Sequence, residues 1–443
     1  MKRAFRWLCI TFALIVLFTC AFSAPAGALS FDCDVEQYSD SLLMVNLDTG
    51  MEVYAKEADT RRYPSLLTKI MTYIVAAEYF DDFDTKIPIK QTCIDSVLDQ
   101  GMSCTGVDWY VGDSLTVENL LYALMLPAGD DAAMVLADYI GNGNIQIFVD
   151  KMNAKAEELE CADTHFTNPF GTHDENHYTT ARDLYKITKQ AMGLPLFSKI
   201  CNTTTYYAKE NDDVPFITSN WLIDSARGGD YYYVYATGVK NATSPQAGRC
   251  LVSNAVYDGY SYMCIALHAP YDESKEENEQ YCMVEAANMF RWAFLNLSFV
   301  TPVTKDTPVC EQKVNHAWDT KSILLVPQTD CNVILPQGYS EGDVKITPDS
   351  TDPVSAPIKK GDIITTATVY YRNEPFTQIN LVSNDDVGVS PILYTTDAIR
   401  GVLTSPWFLI AVGLVVILFI IYVSVSSSYA KKRKREKKKN KVK

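Results

Sequence analysis

Positive charge is scarce through most of this chain, and the cysteine spacing that metal centres use is missing. Of 443 residues, 39 are Lys or Arg and 54 are Asp or Glu, a formal net charge of −15. The last thirteen residues hold ten basic side chains and one acid, Glu436. Lys2, Arg3 and Arg6 add three positive charges at the other end, which leaves −27 on everything between. A body that acidic repels polyphosphate, which disfavours a nucleic-acid-binding role. No C-x-x-C occurs, so paired-thiolate zinc spacing is absent, and no internal repeat is seen. The chain is not short of apolar residues: they make up 47%, with 21% charged, which is globular composition and excludes a disordered protein.

Two long apolar runs stand out. The first, Trp7 to Phe22, follows a basic start and precedes small residues, with Ala26-Gly27-Ala28 as an A-x-A site. That pattern predicts a secretory signal peptide over residues 1–28. The second, Trp407 to Val425, is 19 residues without a charge; at about 1.5 Å per residue it reaches roughly 28 Å, enough for a bilayer core. Trp407 and Tyr422 sit near its ends as interfacial aromatics do, and the basic tail follows at once, which predicts a single-pass anchor with a cytoplasmic C-terminus. The body is then expected outside the cell. Ten cysteines remain after signal removal. Cys93/Cys104, Cys250/Cys264 and Cys310/Cys331 are candidate bridges; ten reduced, buried thiols are the alternative.

Within the body, residues 41–55 read as two strands around Asp48-Thr49-Gly50. Helical spacing appears over 64–81, over 115–140 with a break at Pro127-Ala128-Gly129, and over 145–158 and 180–192. Residues 230–270 alternate and are rich in Tyr and Val, which predicts strands. Helices inserted between strands of an antiparallel sheet give an α+β domain ending near 299. From Val300 to about Leu393 helix signals vanish, and β runs at 322–326, 343–347, 362–371 and 377–382 alternate with turns, which predicts a separate small β domain.

Four segments, in order, resemble the D-alanyl-D-alanine carboxypeptidases, the low-molecular-mass penicillin-binding proteins of the serine type. They are LMVNLDTGMEVYAKEADTRRYPSLLTKIMT (43–72), LMLPAGDDAAMVLA (124–137), FTNPFGTHDENHYTTARDLYKIT (166–188) and GVKNATSPQAGRCLV (238–252). The resemblance implies a penicillin-binding, β-lactamase-like transpeptidase domain over 29–299. It also implies a β-rich C-terminal domain over 300–402, a transmembrane helix over 403–426 and a basic cytoplasmic tail over 427–443. It implies work on peptidoglycan stem peptides at the cell membrane, and no cofactor or metal.

The family's catalytic motifs are S-x-x-K, S-x-N and K-T-G. In the first, the Lys one turn after the Ser takes the hydroxyl proton. Here the aligned residues are Leu66 and Lys69, and Leu has nothing to deprotonate. Ser65, one residue early, is a neighbour of Lys69 at i+4 but is rotated about 100° from position 66; it reads as a helix N-cap, with a displaced nucleophile as the alternative. Ala128 and Asp130 replace the Ser and Asn of the second motif, and Asp130 is expected to pair with Lys69. Lys240, Asn241 and Ala242 stand where Lys-Thr-Gly would; Lys240 and Asn241 are candidate substrate-binding residues, and Ala242 adds a methyl at the strand edge. The expectation is a non-catalytic descendant that binds wall peptides or a cell-wall protein. The alternatives are an active carboxypeptidase using Ser65 and a β-lactam hydrolase, which needs the same missing serine. His173 and His177 could ligate a metal on a helix, but Asn168-Pro169-Phe170-Gly171 before them marks a structural loop. Tyr231-Tyr232-Tyr233 with Tyr235 fits a sugar-stacking platform or, as the preferred reading, a strand with alternate faces buried.

Overall fold

A computed structural model describes residues 31–209, 214–272, 274 and 279–439. The expected signal peptide and the last four residues of the basic tail lie outside the described residues. The chain divides into two compact units: Met1–Pro302 with Asn332–Val344 and Tyr371–Phe376, and Val303–Cys331 with Lys345–Tyr370 and Thr377–Lys443.

The first unit is built on a five-stranded antiparallel sheet. Its strands are β1 (Ser41–Asn46), β2 (Glu52–Lys56), β3 (Ala236–Ser244), β4 (Gly248–Tyr257) and β5 (Tyr260–Ala269), in the order β2-β1-β5-β4-β3. All six residues of β1, Ser-Leu-Leu-Met-Val-Asn, are buried, as expected for a strand covered on both faces. The β1–β2 hairpin turns at the expected place: Gly50 has φ 74°, and the Asn46 side chain accepts from the Thr49 N–H at 2.9 Å, an Asx-type closure. Between β2 and β3 the chain forms a helical layer. It comprises α1 (Lys69–Tyr79), α2 (Gln91–Asp99), α3 (Val117–Met125), α4 (Asp130–Ile140), α5 (Ile145–Glu158), α6 (Ala181–Met192) and α7 (Phe197–Cys201). α3 and α6 are capped by Thr116 and Thr180, whose hydroxyls accept from Asn119 and Asp183 N–H groups and so satisfy otherwise orphaned donors. The helices share one core with β1, β3, β4 and β5, centred on Leu43, Ile70, Leu121, Leu136, Val252 and Ile265. After β5, α8 (Tyr281–Asn296) has most of its residues buried. This antiparallel sheet with inserted helices is the α+β architecture that the sequence predicts.

One expectation fails in this unit. The Tyr231–Tyr235 run is not a strand: it leaves a short turn at Gly229–Tyr231, and the Tyr233 N–H bonds to the Leu222 carbonyl at 2.9 Å, so a folded loop claims the backbone before β3 begins. All ten cysteines of the described residues, in both units, are free, as the alternative reading of them has it, and none of the candidate bridges is formed. Cross-strand register explains one of them, since the residue opposite Cys264 is Ser253, not Cys250.

The second unit carries a six-stranded sheet ordered 344–348, 363–371, 374–383, 322–327, 310–315, 354–355, closed over Ile323, Leu325, Ala367 and Leu381. All four β runs expected from sequence are strands in it. The β-rich stretch is followed by a helix, α9 (Pro391–Thr404), capped by Ser390. Ser405 is extended, and α10 (Pro406–Lys439) then begins. Its segment Pro406–Lys431 contains an 18-residue stretch of mean hydropathy 3.1 and is long and apolar enough to cross a membrane.

Candidate functional site

The approach to α1 is a single 3-10 turn, Ser65–Thr68, entered through Pro64. Lys69, the first residue of α1, has no exposed surface, while Leu66, three residues earlier, is half-buried against the core. Ser65 does not cap the helix: Thr68 precedes α1 and Pro64 precedes the turn, and no side chain caps either. The reason is local geometry. Ser65 has φ 49°, a left-handed conformation that turns its hydroxyl out of capping register. Among the described residues no hydrogen bond joins Ser65 to Lys69. Ser65 instead lines a cavity of about 10 Å³ with Tyr63, Gly171, His173, His177 and Ser244, too small for one amino acid. Gly171 (φ 91°) is required there, since a Cβ would lie 1.9 Å from the Ser65 carbonyl oxygen.

Lys69 Nζ donates to Asp130 Oδ1 at 2.6 Å and to the Phe170 carbonyl at 3.0 Å. Burial draws the amine below its ordinary range, and Asp130 opposes that shift. Asp130 opens α4 just after a tight loop in which Ala128 has φ 65°. Gly129 has no room for a side chain, because its Cβ would meet Thr105 Oγ1 at 2.5 Å and the Ala123 carbonyl at 2.9 Å. Asp131 fastens the facing segment, accepting from the N–H groups of Thr105 (2.7 Å) and Val107 (3.1 Å). Cys104 and Asp108 lie close enough to Asp131 to share a cation, but its oxygens face N–H donors, so its work is to hold this loop.

From the third motif, Lys240 is buried on β3 and its Nζ donates to the Met125 carbonyl at 2.6 Å. Burial, with the Lys69 charge nearby, lowers its pKa to about 7. Asn241 accepts from Ser219 Oγ at 2.8 Å, and Ala242 is buried opposite Cys250. The structure thus gathers Lys69, Asp130 and Lys240 at one place, with Asn241 on the strand beside them. The hydrogen-bond partners of Lys69 Nζ are a carboxylate and a carbonyl, and no hydroxyl is among them. Ser219 and the Phe170 carbonyl were not foreseen, since a lone serine and a backbone oxygen carry no sequence signal.

The Asn168–Gly171 loop is held by Asn168, whose Oδ1 accepts from the N–H groups of Phe170 (3.2 Å), Gly171 (2.8 Å) and Thr172 (3.1 Å). Thr72 Oγ1 donates to the Pro169 carbonyl at 2.7 Å, so the loop is tied to α1. His177 belongs to the same framework. Its Nδ1 accepts from the Thr167 N–H at 3.3 Å, which leaves Nε2–H to donate to Thr68 Oγ1 at 2.8 Å. Burial lowers its pKa to about 4. His173 packs edge-on against Tyr63, ring centroids 4.6 Å apart, so the two histidines serve separate contacts within a loop.

Residues 30–270 match the family model described as D-alanyl-D-alanine carboxypeptidase, and residues 298–389 match that of the penicillin-binding protein 5 C-terminal domain. The chain is similar to the D-alanyl-D-alanine carboxypeptidase DacF of Bacillus subtilis, with 27% identity over 387 residues covering 87% of this chain and 95% of that one. It is 37% identical over 221 residues to the D-alanyl-D-alanine carboxypeptidase of Streptomyces sp. strain K15, covering 48% and 75%. Among solved structures, penicillin binding protein 5 from Haemophilus influenzae aligns with TM-score 0.65 and 23% identity over 81% of this chain and all of that one. The Streptomyces K15 DD-transpeptidase aligns with TM-score 0.53 and 30% identity over 60% of this chain and all of that one.

Proposed function

The chain belongs to the D-alanyl-D-alanine carboxypeptidase family of cell-wall metabolism, and from that premise we propose that it is a non-catalytic member that binds wall peptides. The observation that carries this reading is Leu66 beside a Lys69 already committed to Asp130 at 2.6 Å. Acyl transfer in this family needs a hydroxyl and a base that can take its proton. Here the hydroxyl is absent from position 66 and the base is held by an ion pair. Binding asks for less. Asn241 supplies a half-buried amide with the buried Lys240 amine behind it, and β3 is the edge strand of the sheet, a place where an extended peptide can add.

The competing reading is a carboxypeptidase with Ser65 as displaced nucleophile. Ser65 sits at the right chain distance, but its left-handed backbone, its 10 Å³ surroundings and its lack of a bond to Lys69 count against it. On our reading the apolar segment Pro406–Lys431 anchors the protein by a single span, with the body outside the cell and the basic tail in the cytoplasm. The reading calls for no cofactor. Intact-mass measurement after incubation with penicillin tests it: the expected product is unmodified protein, and a stoichiometric adduct on Ser65 would overturn the proposal.

A further inference from the structure

The tyrosine run left unexplained by the motif residues belongs to a loop, residues 218–235, that is folded tightly and yet leaves aromatic rings partly exposed. Its interior is well anchored. Leu222 is fully buried, the Asp224 side chain accepts from the N–H groups of Ala226 (3.0 Å) and Arg227 (3.2 Å), and Arg227 pairs with Asp224. Gly228 packs so closely that a Cβ would lie 2.2 Å from the Trp221 carbonyl oxygen. On this frame Trp221 is 38% exposed and Tyr231 is half-buried. Trp221 and Tyr231 lie 5.7 Å apart at a tilt of 34°, and Tyr231 is steadied by a bond from the Gln280 N–H to its hydroxyl at 3.3 Å. The two neighbouring rings together leave an aromatic edge facing water, and adjoining exposed aromatics are what binding surfaces use.

We propose that Trp221 and Tyr231 form a stacking platform for the sugar rings of the peptidoglycan glycan strand, an inference that rests on the wall-peptide reading and extends it. The C–H face of a pyranose lies flat on an aromatic ring, and two tilted rings follow the bend of a glycan chain. Charge favours this occupant over a polyanion, because the body carries −27 and the loop's Arg227 is neutralised by Asp224. The loop is also continuous with the motif residues of β3. Ser219 donates to Asn241 at 2.8 Å, and Trp221 follows two residues later, at most about 7 Å of chain. A stem peptide on β3 would therefore leave the sugar that carries it within reach of the rings.

Glycan strands stripped of peptide by an amidase are the probe, titrated calorimetrically into the full chain in detergent micelles, with a free stem pentapeptide titrated separately. We expect saturable glycan binding, weakened at least tenfold by Trp221→Ala and by Tyr231→Ala. Trp221→Phe and Tyr231→Phe, which keep a ring, should retain most of it and show that the loop is intact. No binding by the unaltered chain would overturn the platform. So would Trp221→Ala binding as tightly as the parent, or a change in oligomeric mass on that substitution that marks the rings as a self-contact. Failure of the pentapeptide alone to bind would defeat the peptide reading while the glycan titration still decides the platform.

Discussion

Restoring the missing hydroxyl should not restore acylation. Leu66→Ser places an Oγ three residues before Lys69 and on its side of the helix, the spacing that lets the amine take the proton. Lys69, though, is fully buried and bonded to Asp130 at 2.6 Å. Burial alone would lower the amine's pKa and free its lone pair; Asp130 is what opposes that. Separating a buried ion pair by neutralising one member costs about 3–5 kcal/mol, and each 1.4 kcal/mol is about tenfold. Relative to a chain without the Asp130 charge, deprotonating Lys69 should therefore be suppressed by about two to three and a half orders of magnitude, the same scale as general-base catalysis itself, about 10²–10⁴. The expected result is that Leu66→Ser acylates with fluorescent penicillin at least about a hundredfold more slowly than Leu66→Ser/Asp130→Asn. Adding Ala128→Ser, Asn241→Thr and Ala242→Gly should raise the rate again, because residues acting as one unit are strongly non-additive. Gel fluorescence against time measures the rates, and intact mass locates the adduct. Equal rates for Leu66→Ser and the double variant would refute the claim that Asp130 disables the base.

Lys69→Met leaves the Asp130 carboxylate without its cation and should lower unfolding stability in urea by about 3–5 kcal/mol, whereas Lys69→Met/Asp130→Leu should recover most of that loss. Folded His177 accepts a proton only near pH 4, while in the unfolded chain it does so near 6.5. Its contribution is thus fully present above about pH 6.5 and declines as pH falls toward 4, by about 3 kcal/mol; His177→Gln should flatten the stability profile in that window. Protease added to intact, wall-stripped cells should remove the body but spare an epitope placed after Lys443, and loss of the epitope would reverse the assigned topology.

Much of the fold was legible because the signals are local. The 3.6-residue spacing over 145–158 coincides with α5, and Asp48-Thr49-Gly50 turns where its residues demand. The site was legible through its motifs: Lys69, Asp130 and Lys240 do converge, as their order along the chain implies, and the expected Lys69–Asp130 pair is formed. What escaped depends on contacts made at a distance. Ser65 has cap chemistry, yet the Asn168–Gly171 loop presses on its carbonyl and the residue adopts a left-handed backbone. Tyr231–Tyr235 alternates like a strand, but Leu222, eleven residues earlier, takes the hydrogen bond of Tyr233. The helix Tyr281–Asn296 gives little warning because it is buried over so much of its circumference and has no side-chain cap. Ser219 met Asn241 only once the chain was folded.

The Lys69–Asp130 pair has a consequence for anyone who would select activity from this scaffold. It works as a strut between the starts of α1 and α4, so on the proposed reading the residue that keeps the base charged also braces the site. A library of single substitutions would therefore meet level or falling ground. Serine alone finds no partner for its proton, and asparagine alone weakens the brace while no nucleophile is present to profit. Only variants that cross both positions together reach rising ground, so stepwise selection should stall where a paired library succeeds.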